Sequence, residues 1–276
     1  MANLRAIRLR IKSVESTRQI TKSMKMVAAA KLRKTQKALS DLRDFADRSR
    51  EMLCALGPGP KGANNPLLTR REPSRKVCYV LLVGNRGLCG TYNHSLLRWL
   101  EELRAREERE SMLIVLGRWG RDLIQGAERR MEISDAPTAE EARELTKELE
   151  KLYTEGGADE IVLVYQRFKS VLQQTPCAKT LLPLALPEGE GERDVIYEPD
   201  AAAVLERLTE LYLETTLRAV LLEGRTGEHA ARMTAMTAAS DNTEELIAEL
   251  TLELNHARQA AITTEISEIV GGAAAL

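Results

Sequence analysis

The sequence predicts an α/β domain inserted between two long terminal helices that pair as an antiparallel coiled coil. Residues 4–56 contain no Gly or Pro and place apolar side chains at alternating steps of three and four, which is typical of one long helix. The same spacing returns after residue 198, and short apolar runs alternate with amphipathic stretches in between. Aromatic residues make up only 4% of the 276 residues, which favours long helical seams over one wide globular core.

The first segment predicts a helix of about 50 residues, on the order of 80 Å long at 1.5 Å per residue. Residues 57–74 (GPGPKGANNPLLTRREPS) are dense in Pro, Gly and Asn, which predicts a linker. We therefore expect an N-terminal coiled-coil helix at 1–56 and a linker at 57–74.

The middle of the chain, residues 75–197, predicts a small, Rossmann-like α/β domain. Its apolar runs have the length and composition of strands, and the stretches between them have helical spacing. Strands that alternate with helices favour a sheet of parallel strands. The expected strands are 75–84, 111–117, 159–168 and 179–184, and the expected helices are 95–110, 118–128 and 138–155.

The last segment, 198–276, predicts a second coiled-coil helix of about 70 residues. It follows Tyr197-Glu198-Pro199-Asp200, where Pro and Asp suit a helix start. Only Gly224 and Gly227 interrupt its apolar spacing before Gly271. Each could cost about 1 kcal/mol relative to Ala, so local compliance of the helix is a hypothesis.

The two long helices must run antiparallel, because the first ends where the α/β domain begins and the last begins where that domain ends. Residues 1–40 carry eleven Lys or Arg and one acid, whereas residues 198–276 carry fourteen Asp or Glu and five Arg. Opposite charges beside an apolar seam favour pairing, so we expect ion pairs along it.

Several functional classes are disfavoured by the composition. No apolar run approaches the roughly 20 residues that span a bilayer, and the basic N-terminus lacks the apolar core of a secretory signal. The four cysteines match no metal spacing, the three histidines are scattered, and we expect no metal, no cofactor and no catalytic residue. Aromatic stacking groups are absent from the basic helix, which disfavours nucleic acid.

Two other functional readings stay open from the residues alone. Residues 84–90 (GNRGLCG) lie between a strand and a helix, where phosphate-binding loops occur, although the glycines do not fit the dinucleotide pattern. The chain could therefore be a nucleotide-binding α/β domain with a coiled-coil dimerisation arm. A coiled-coil adaptor for nucleic acid is a third reading, and it would require salt-dependent binding.

Motifs at both ends resemble one family, the gamma subunits of bacterial F-type ATP synthases. ITKSMKMVAAAKLRKTQ at 20–36 is similar to the family's N-terminal signature, and EHAARMTAMTAASDN at 228–242 with the segment 255–276 is similar to its C-terminal signature. GNRGLCGTYN at 84–93 and YEPD at 197–200 resemble its central turn and the start of its last helix. The resemblance implies a noncatalytic rotor subunit, the central stalk, which transmits torque for ATP synthesis or hydrolysis.

The resemblance also implies contact residues. Met24 and Lys25 correspond to a segment that faces an acidic lever loop of the catalytic beta subunit. Arg258, Gln259 and Thr263 correspond to an upper contact with the same subunit. Tyr197 and Glu198 correspond to the foot, near the epsilon subunit and the ring of c subunits.

The implied partners are the alpha and beta subunits of the catalytic hexamer, the epsilon subunit and the c ring, with one copy of the chain per complex and no nucleic acid. The implied location is peripheral, at the cytoplasmic face of the bacterial plasma membrane.

Overall fold

The computed structural model, which describes residues 2–56, 65–121, 123–184, 198 and 200–274, contains two long helices, a five-stranded sheet and two shorter helices. In chain order the elements are α1 Ala2–Leu56, β1 Lys76–Leu82, α2 Tyr92–Ala105, β2 Glu110–Leu116, β3 Arg129–Met131, α3 Ala139–Thr154, β4 Glu160–Phe168, β5 Gln174–Leu182 and α4 Ala201–Ala274. Asp200 caps α4, because its Oδ1 accepts hydrogen bonds from the amides of Ala202 and Ala203.

The sheet has the strand order β3-β2-β1-β4-β5. β1 is parallel to β2 and to β4, and β2 is parallel to β3, as the alternation of strands and helices predicts. β5 is antiparallel to β4, which corrects the expectation of an all-parallel sheet. The reason is the short connection at 169–173, which is long enough for a hairpin but too short for a crossover.

Two local predictions in this region have different outcomes. α3 begins with a capping box, in which Thr138 Oγ1 accepts from the amide of Glu141 and the Glu141 carboxylate accepts from the amide of Thr138. The helix expected at 118–128 is wrong, because the described residues there form turns. Gly120 and Gly126 have φ of +71° and +70°, which is incompatible with a continuous right-handed helix.

Helices cover both faces of the sheet. Leu96 and Leu100 of α2 pack with Val77, Tyr79 and Leu81 on one face. The other face packs against α3 and α4, through Leu145, Leu149, Leu213, Leu217 and Leu221. α4 is therefore part of the sheet domain's core as well as one half of the predicted coiled coil.

The chain divides into two compact units, and the boundary between them falls within both long helices. The central unit, Ala30–Ala231, contains the sheet, and in it α1 and α4 pack antiparallel. Arg43 pairs with Glu223, whereas Leu53, further along α1, packs with Leu205 and Leu208, earlier in α4.

The terminal unit consists of Met1–Ala29 and Arg232–Leu276, of which residues 2–29 and 232–274 are described. Its two helical segments bury small and apolar side chains, among them Ile7, Ala28, Met236 and Leu250. The predicted fold class is confirmed: the terminal helices are paired and an α/β sheet domain is inserted between them. The domain limits 1–56, 57–74, 75–197 and 198–276 stay a prediction; residues 57–64 and 185–197 lie outside the described part.

Candidate functional site: the buried polar turn of the last helix

α4 is buried on all sides from residue 220 to residue 230, although this stretch carries charged side chains. Glu223, Arg225 and Glu228 are each less than a tenth exposed. A charge is stable in a protein interior only when it is paired and hydrogen-bonded. We call residues 223–228 the buried polar turn, and its bonds to the rest of the central unit form the candidate site.

Arg225 uses the full hydrogen-bonding capacity of its guanidinium, which is 1% exposed. Its acceptors are Ser134 O at 3.1 Å from Nε, Val83 O at 3.2 Å and Glu228 Oε2 at 2.8 Å from Nη1, and Asn85 Oδ1 at 3.1 Å and Ile133 O at 3.0 Å from Nη2. Among these acceptors, Val83 directly follows β1, and Ile133 and Ser134 follow β3. A single side chain of α4 thus binds the carboxyl ends of two strands.

The Glu228 carboxylate lies against the turn that follows β1. Its Oε2 accepts a long hydrogen bond of 3.4 Å from the amide of Asn85. A Cβ at position 84 would be 3.0 Å from Glu228 Cδ and 3.2 Å from Oε1, so Gly84 leaves the space that the carboxylate fills. The amide of Gly84 itself donates to Asn93 Oδ1 at 2.9 Å.

Gly224 and Gly227 let the backbone of α4 approach the sheet closely. A Cβ on Gly224 would lie 2.4 Å from Leu82 Cδ2, and one on Gly227 would lie 3.1 Å from Tyr92 Cε2. The Tyr92 hydroxyl donates a 2.6 Å hydrogen bond to the Gly224 carbonyl. Close packing is a different role for these glycines from the local compliance expected from the sequence, and α4 continues through both as a regular helix.

Glu223 joins three elements at one oxygen. Its Oε1 accepts from Arg43 Nη2 of α1 at 2.6 Å and from the amide of Phe168, the last residue of β4, at 3.0 Å. The carboxylate side chain is 9% exposed, whereas that of Arg43 is 45% exposed. α1 and β4 are therefore both held to the buried polar turn.

A second ion pair ties α1 to the segment after β3. Lys31 Nζ donates to Asp135 Oδ2 at 2.5 Å, and Asn85 Nδ2 donates to Asp135 Oδ1 at 3.2 Å. These bonds, that of Lys31 first, hold the pKa of the Asp135 carboxyl well below its usual range. The same Asn85 side chain accepts from Arg225, which connects this pair to the buried polar turn.

The sequence-based analysis missed the buried polar turn as a site. A signal was present: EGRTGE places three charges and two glycines in one and a half turns of an otherwise apolar seam. Glycine is unfavourable inside a helix that faces solvent. Two glycines beside three charges therefore indicate close approach of another part of the chain. Apart from the Arg225–Glu228 pair itself, however, the partners of those charges are residues more than 50 positions away in sequence.

The predicted contact residues on α1 lie in the terminal unit. Met24 and Lys25 are half-buried. Lys25 lines a cleft of about 800 Å³ together with other basic residues of α1 and with Ser240 and Glu244 of α4. The basic residues of this cleft are Lys12, Arg18, Lys22 and Lys25.

The predicted contact residues on α4 are exposed. Arg258, Gln259 and Thr263 lie within two turns of the helix, and Thr263 Oγ1 donates to the Gln259 carbonyl at 2.9 Å. Glu198 is exposed as well, and Tyr197 lies outside the described residues. The roles of all seven residues stay predictions.

Ion pairs between the long helices are fewer than the charge pattern predicts. Within the described residues, Arg18 with Glu244 at 3.9 Å and Arg43 with Glu223 are the pairs between α1 and α4. Lys31 pairs with Asp135 instead, and the other basic residues of 1–40 form no ion pair with a described residue. Most of them are exposed. In the part of the chain that the structure describes, the ion pairs expected beside the seam are therefore limited to the two between α1 and α4.

No helix in the described ranges has a stretch that is long and apolar enough to cross a membrane. Across the same ranges, no group of three or more His, Cys, Asp or Glu side chains is arranged to hold a metal ion.

Comparison with known proteins gives a consistent family. A family model described as ATP synthase matches residues 3–276. The "ATP synthase gamma chain" of Desulfitobacterium hafniense is 43% identical and that of Moorella thermoacetica 44% identical, each over 100% of both chains.

A solved structure has the same fold at lower identity. It is the rotor of the Euglena gracilis mitochondrial ATP synthase in rotational state 1, with a TM-score of 0.70 and 21% identity, covering 95% of this chain and 99% of that one.

Proposed function

The chain belongs to the ATP synthase gamma-chain family, and on that premise we propose that it is the central-stalk rotor subunit of an F-type ATP synthase. It transmits torque between the ion-driven c ring and the catalytic hexamer of alpha and beta subunits, for synthesis or hydrolysis of ATP. The observation that carries the proposal is full-length identity of 43% to a gamma chain, combined with a sheet domain bonded to both long helices.

A single rotor can drive several catalytic sites because it is asymmetric. Each site meets a different face of the rotor, and a face shifts the site's equilibrium only by the difference between its interactions with the open and the closed state. The basic face of α1 opposite the acidic α4 provides such an asymmetry. Rotation then exchanges the faces among the sites.

Two surfaces of the terminal unit suit contact with the hexamer. The basic residues of α1, with the half-buried Lys25 among them, complement an acidic segment of the beta subunit by charge. Near the end of α4, Ile262, Ile266 and Ile269 are exposed and recur every three to four residues, which suits an apolar sleeve. Arg258, Gln259 and Thr263 lie on the same stretch.

The remaining parts of the proposal concern the foot and the location. Tyr197 and Glu198 precede α4 in the sequence, and at this end of α4 the chain would meet the epsilon subunit and the c ring. The chain carries no catalytic residue in this account, because the chemistry resides in the beta subunits. One copy serves each complex, peripheral to the cytoplasmic face of the bacterial membrane.

The test is co-expression of the full chain with tagged alpha and beta subunits from the same organism. We expect the three chains to purify together as one ATP-hydrolysing complex. A chain lacking residues 262–276 keeps its sheet domain, because that domain lies within residues 30–231, and it is expected to transmit less torque. Purification of alpha and beta without the full chain, under conditions in which all three are folded, would contradict the proposal.

A further inference from the structure

The turn at 84–90 occupies the place where α/β folds of this strand order hold an anionic ligand. It follows the central strand β1 and precedes α2, and strand order reverses beside β1. In this chain a carboxylate of the same molecule lies there. Glu228 Oε2 is 3.4 Å from the Asn85 amide, and Gly84 provides the space for the rest of the group.

The carboxylate is neutralised inside the protein. Arg225 Nη1 is 2.8 Å from Glu228 Oε2, and the two side chains are 1% and 2% exposed. The other four N–H groups of Arg225 bind the ends of β1 and β3 and the Asn85 side chain. The pair therefore connects α4 to two separate segments of the sheet domain, the turn after β1 and the stretch after β3.

We propose that Arg225 and Glu228 are positioning residues that fix the angle of α4 about its own axis relative to the sheet, with the Glu228 carboxylate taking the anion position of the 84–90 turn. This inference rests on the proposed function, because such a joint matters when torque passes through α4. It also explains why the turn keeps glycine at position 84 without a nucleotide.

Hydrogen bonds fix the angle of a helix about its axis better than apolar packing does. Burial of apolar surface is non-directional, so a helix packed only by Leu and Ile side chains can rotate by small angles with little change in buried area. A hydrogen bond weakens steeply as its angle departs from linearity. The planar guanidinium of Arg225 presents its donors in a fixed fork, so a twist of α4 strains several bonds together.

α4 itself offers a matched control. Arg207 and Glu210 form the same Arg-x-x-Glu pair at 2.8 Å, but their side chains are 77% and 44% exposed. Glu228→Gln removes one carboxylate charge from the buried pair, and Glu210→Gln removes one from the exposed pair. Both changes keep the size of the side chain and its place on the helix.

The experiment measures torsional stiffness in the assembled complex. A bead is attached to a short biotin-acceptor peptide inserted in the hairpin at 169–173, next to the exposed Leu172, and the alpha-beta hexamer is fixed to a surface. The angular variance of the bead is recorded while the motor waits for ATP. Because loss of one partner leaves the other buried charge uncompensated, Glu228→Gln should raise the variance about twofold or more. Glu210→Gln should leave it at the wild-type value.

A second variant guards against failure of the first to fold. Asn85→Ala removes one acceptor of Arg225 and keeps the ion pair, so a smaller increase in variance is expected. Wild-type variance in both Glu228→Gln and Asn85→Ala would overturn the inference. Loss of native helix content by circular dichroism in both variants would overturn it as well, since the residues would then be needed for folding and not for angle.

The inference and the proposed function fail in different ways. If the chain is not a rotor, the wild-type bead does not turn when ATP is added. If it is a rotor without this joint, the wild-type bead turns and the Glu228→Gln bead has wild-type variance.

Discussion

The Tyr92 hydroxyl donates a 2.6 Å hydrogen bond to the backbone carbonyl of Gly224, which joins α2 to α4 inside the core of the central unit. Burial raises the pKa of Tyr92 far above its usual range, so the hydroxyl is a donor at neutral pH. The bond requires a close approach that only glycine at position 224 allows.

Gly224→Ala is therefore expected to destabilise the protein, although alanine is the better helix former. The new Cβ would lie 2.4 Å from Leu82 Cδ2, and Leu82 is itself buried. Overpacking of this kind costs about 1–3 kcal/mol, and the gain in helix propensity offsets about 1 kcal/mol of it. Denaturant unfolding of the full chain measures the net loss.

The control for this change is Gly87→Ala. A Cβ at position 87 meets no atom within 4 Å and the residue has no positive φ, so its unfolding midpoint should not move. If Gly224→Ala proved as stable as the wild type, the close packing of α4 on Leu82 would be refuted.

Glu223→Ala is expected to cost more stability than Arg43→Ala. Removal of the carboxylate leaves the buried amide of Phe168 without its acceptor and Arg43 without its partner, a loss of about 2–3 kcal/mol. Removal of the half-exposed Arg43 leaves Glu223 bonded to Phe168 and should cost about 1 kcal/mol.

A double variant of Glu223 and Arg43 tests their interaction, and a variant of an exposed ion pair serves as the control. Because the two residues interact directly, the losses should not add in the double variant. Glu132→Ala, which breaks the exposed pair with Arg118 at 2.8 Å, should have no measurable effect on unfolding. Equal losses for Glu223→Ala and Glu132→Ala would contradict the account of Glu223 as a buried junction.

Glu107 should make the protein's stability depend on acid pH. Bonds from Arg109, and one of 2.9 Å from the Tyr79 hydroxyl, lower the pKa of Glu107 from 4.5 to about 2. A depressed folded-state pKa stabilises the protein above the unfolded-state value, and this contribution is lost as the pH falls from about 4.5 to about 2. Glu107→Gln should lose about 2–3 kcal/mol at neutral pH and unfold with a shallower dependence on pH in that interval.

Glu110→Gln is the matched control, because Glu110 lies nearby and its pairing with Lys76 at 3.9 Å is exposed. Its acid unfolding profile should follow the wild type. An unchanged profile for Glu107→Gln as well would show that Glu107 is not a determinant of acid stability.

Lys25→Glu should weaken the transmission of torque without unfolding the chain. The side chain is half-buried beside other basic residues. In the proposed contact with an acidic segment of the beta subunit, reversal of its charge removes attraction and adds repulsion of about 1 kcal/mol. The stall torque of the alpha-beta-gamma complex at low salt measures the effect. Arg98→Glu, an exposed change on α2, should keep the wild-type torque; an equal loss in both variants would argue against a specific role for Lys25.

Most of the fold could be predicted from local sequence patterns. The first long helix followed from apolar spacing without Gly or Pro, and α3 was expected at 138–155, because such signals are encoded within a few residues. The antiparallel β5 and the turns at 118–128 were missed. Their geometry depends on hairpin length and on glycine φ angles that the surrounding structure selects.

The site was less accessible to sequence reasoning than the fold. No role for Arg225 and Glu228 followed from the sequence, because the ends of β1 and β3 that bind Arg225 are distant from it in the chain. Burial of α4 depends on tertiary packing. It makes Arg225 and Glu228 a buried ion pair that connects α4 to the sheet, whereas the same residues on an exposed helix would be surface charges.

Direct observation of rotation tests whether this chain turns inside a catalytic hexamer, as proposed. The complex of this chain with its own alpha and beta subunits is fixed through the hexamer, with a bead on the 169–173 hairpin, and ATP is added. We expect the bead to rotate in one direction for as long as ATP lasts. A stationary bead on complexes that contain the chain and hydrolyse ATP would contradict the proposal.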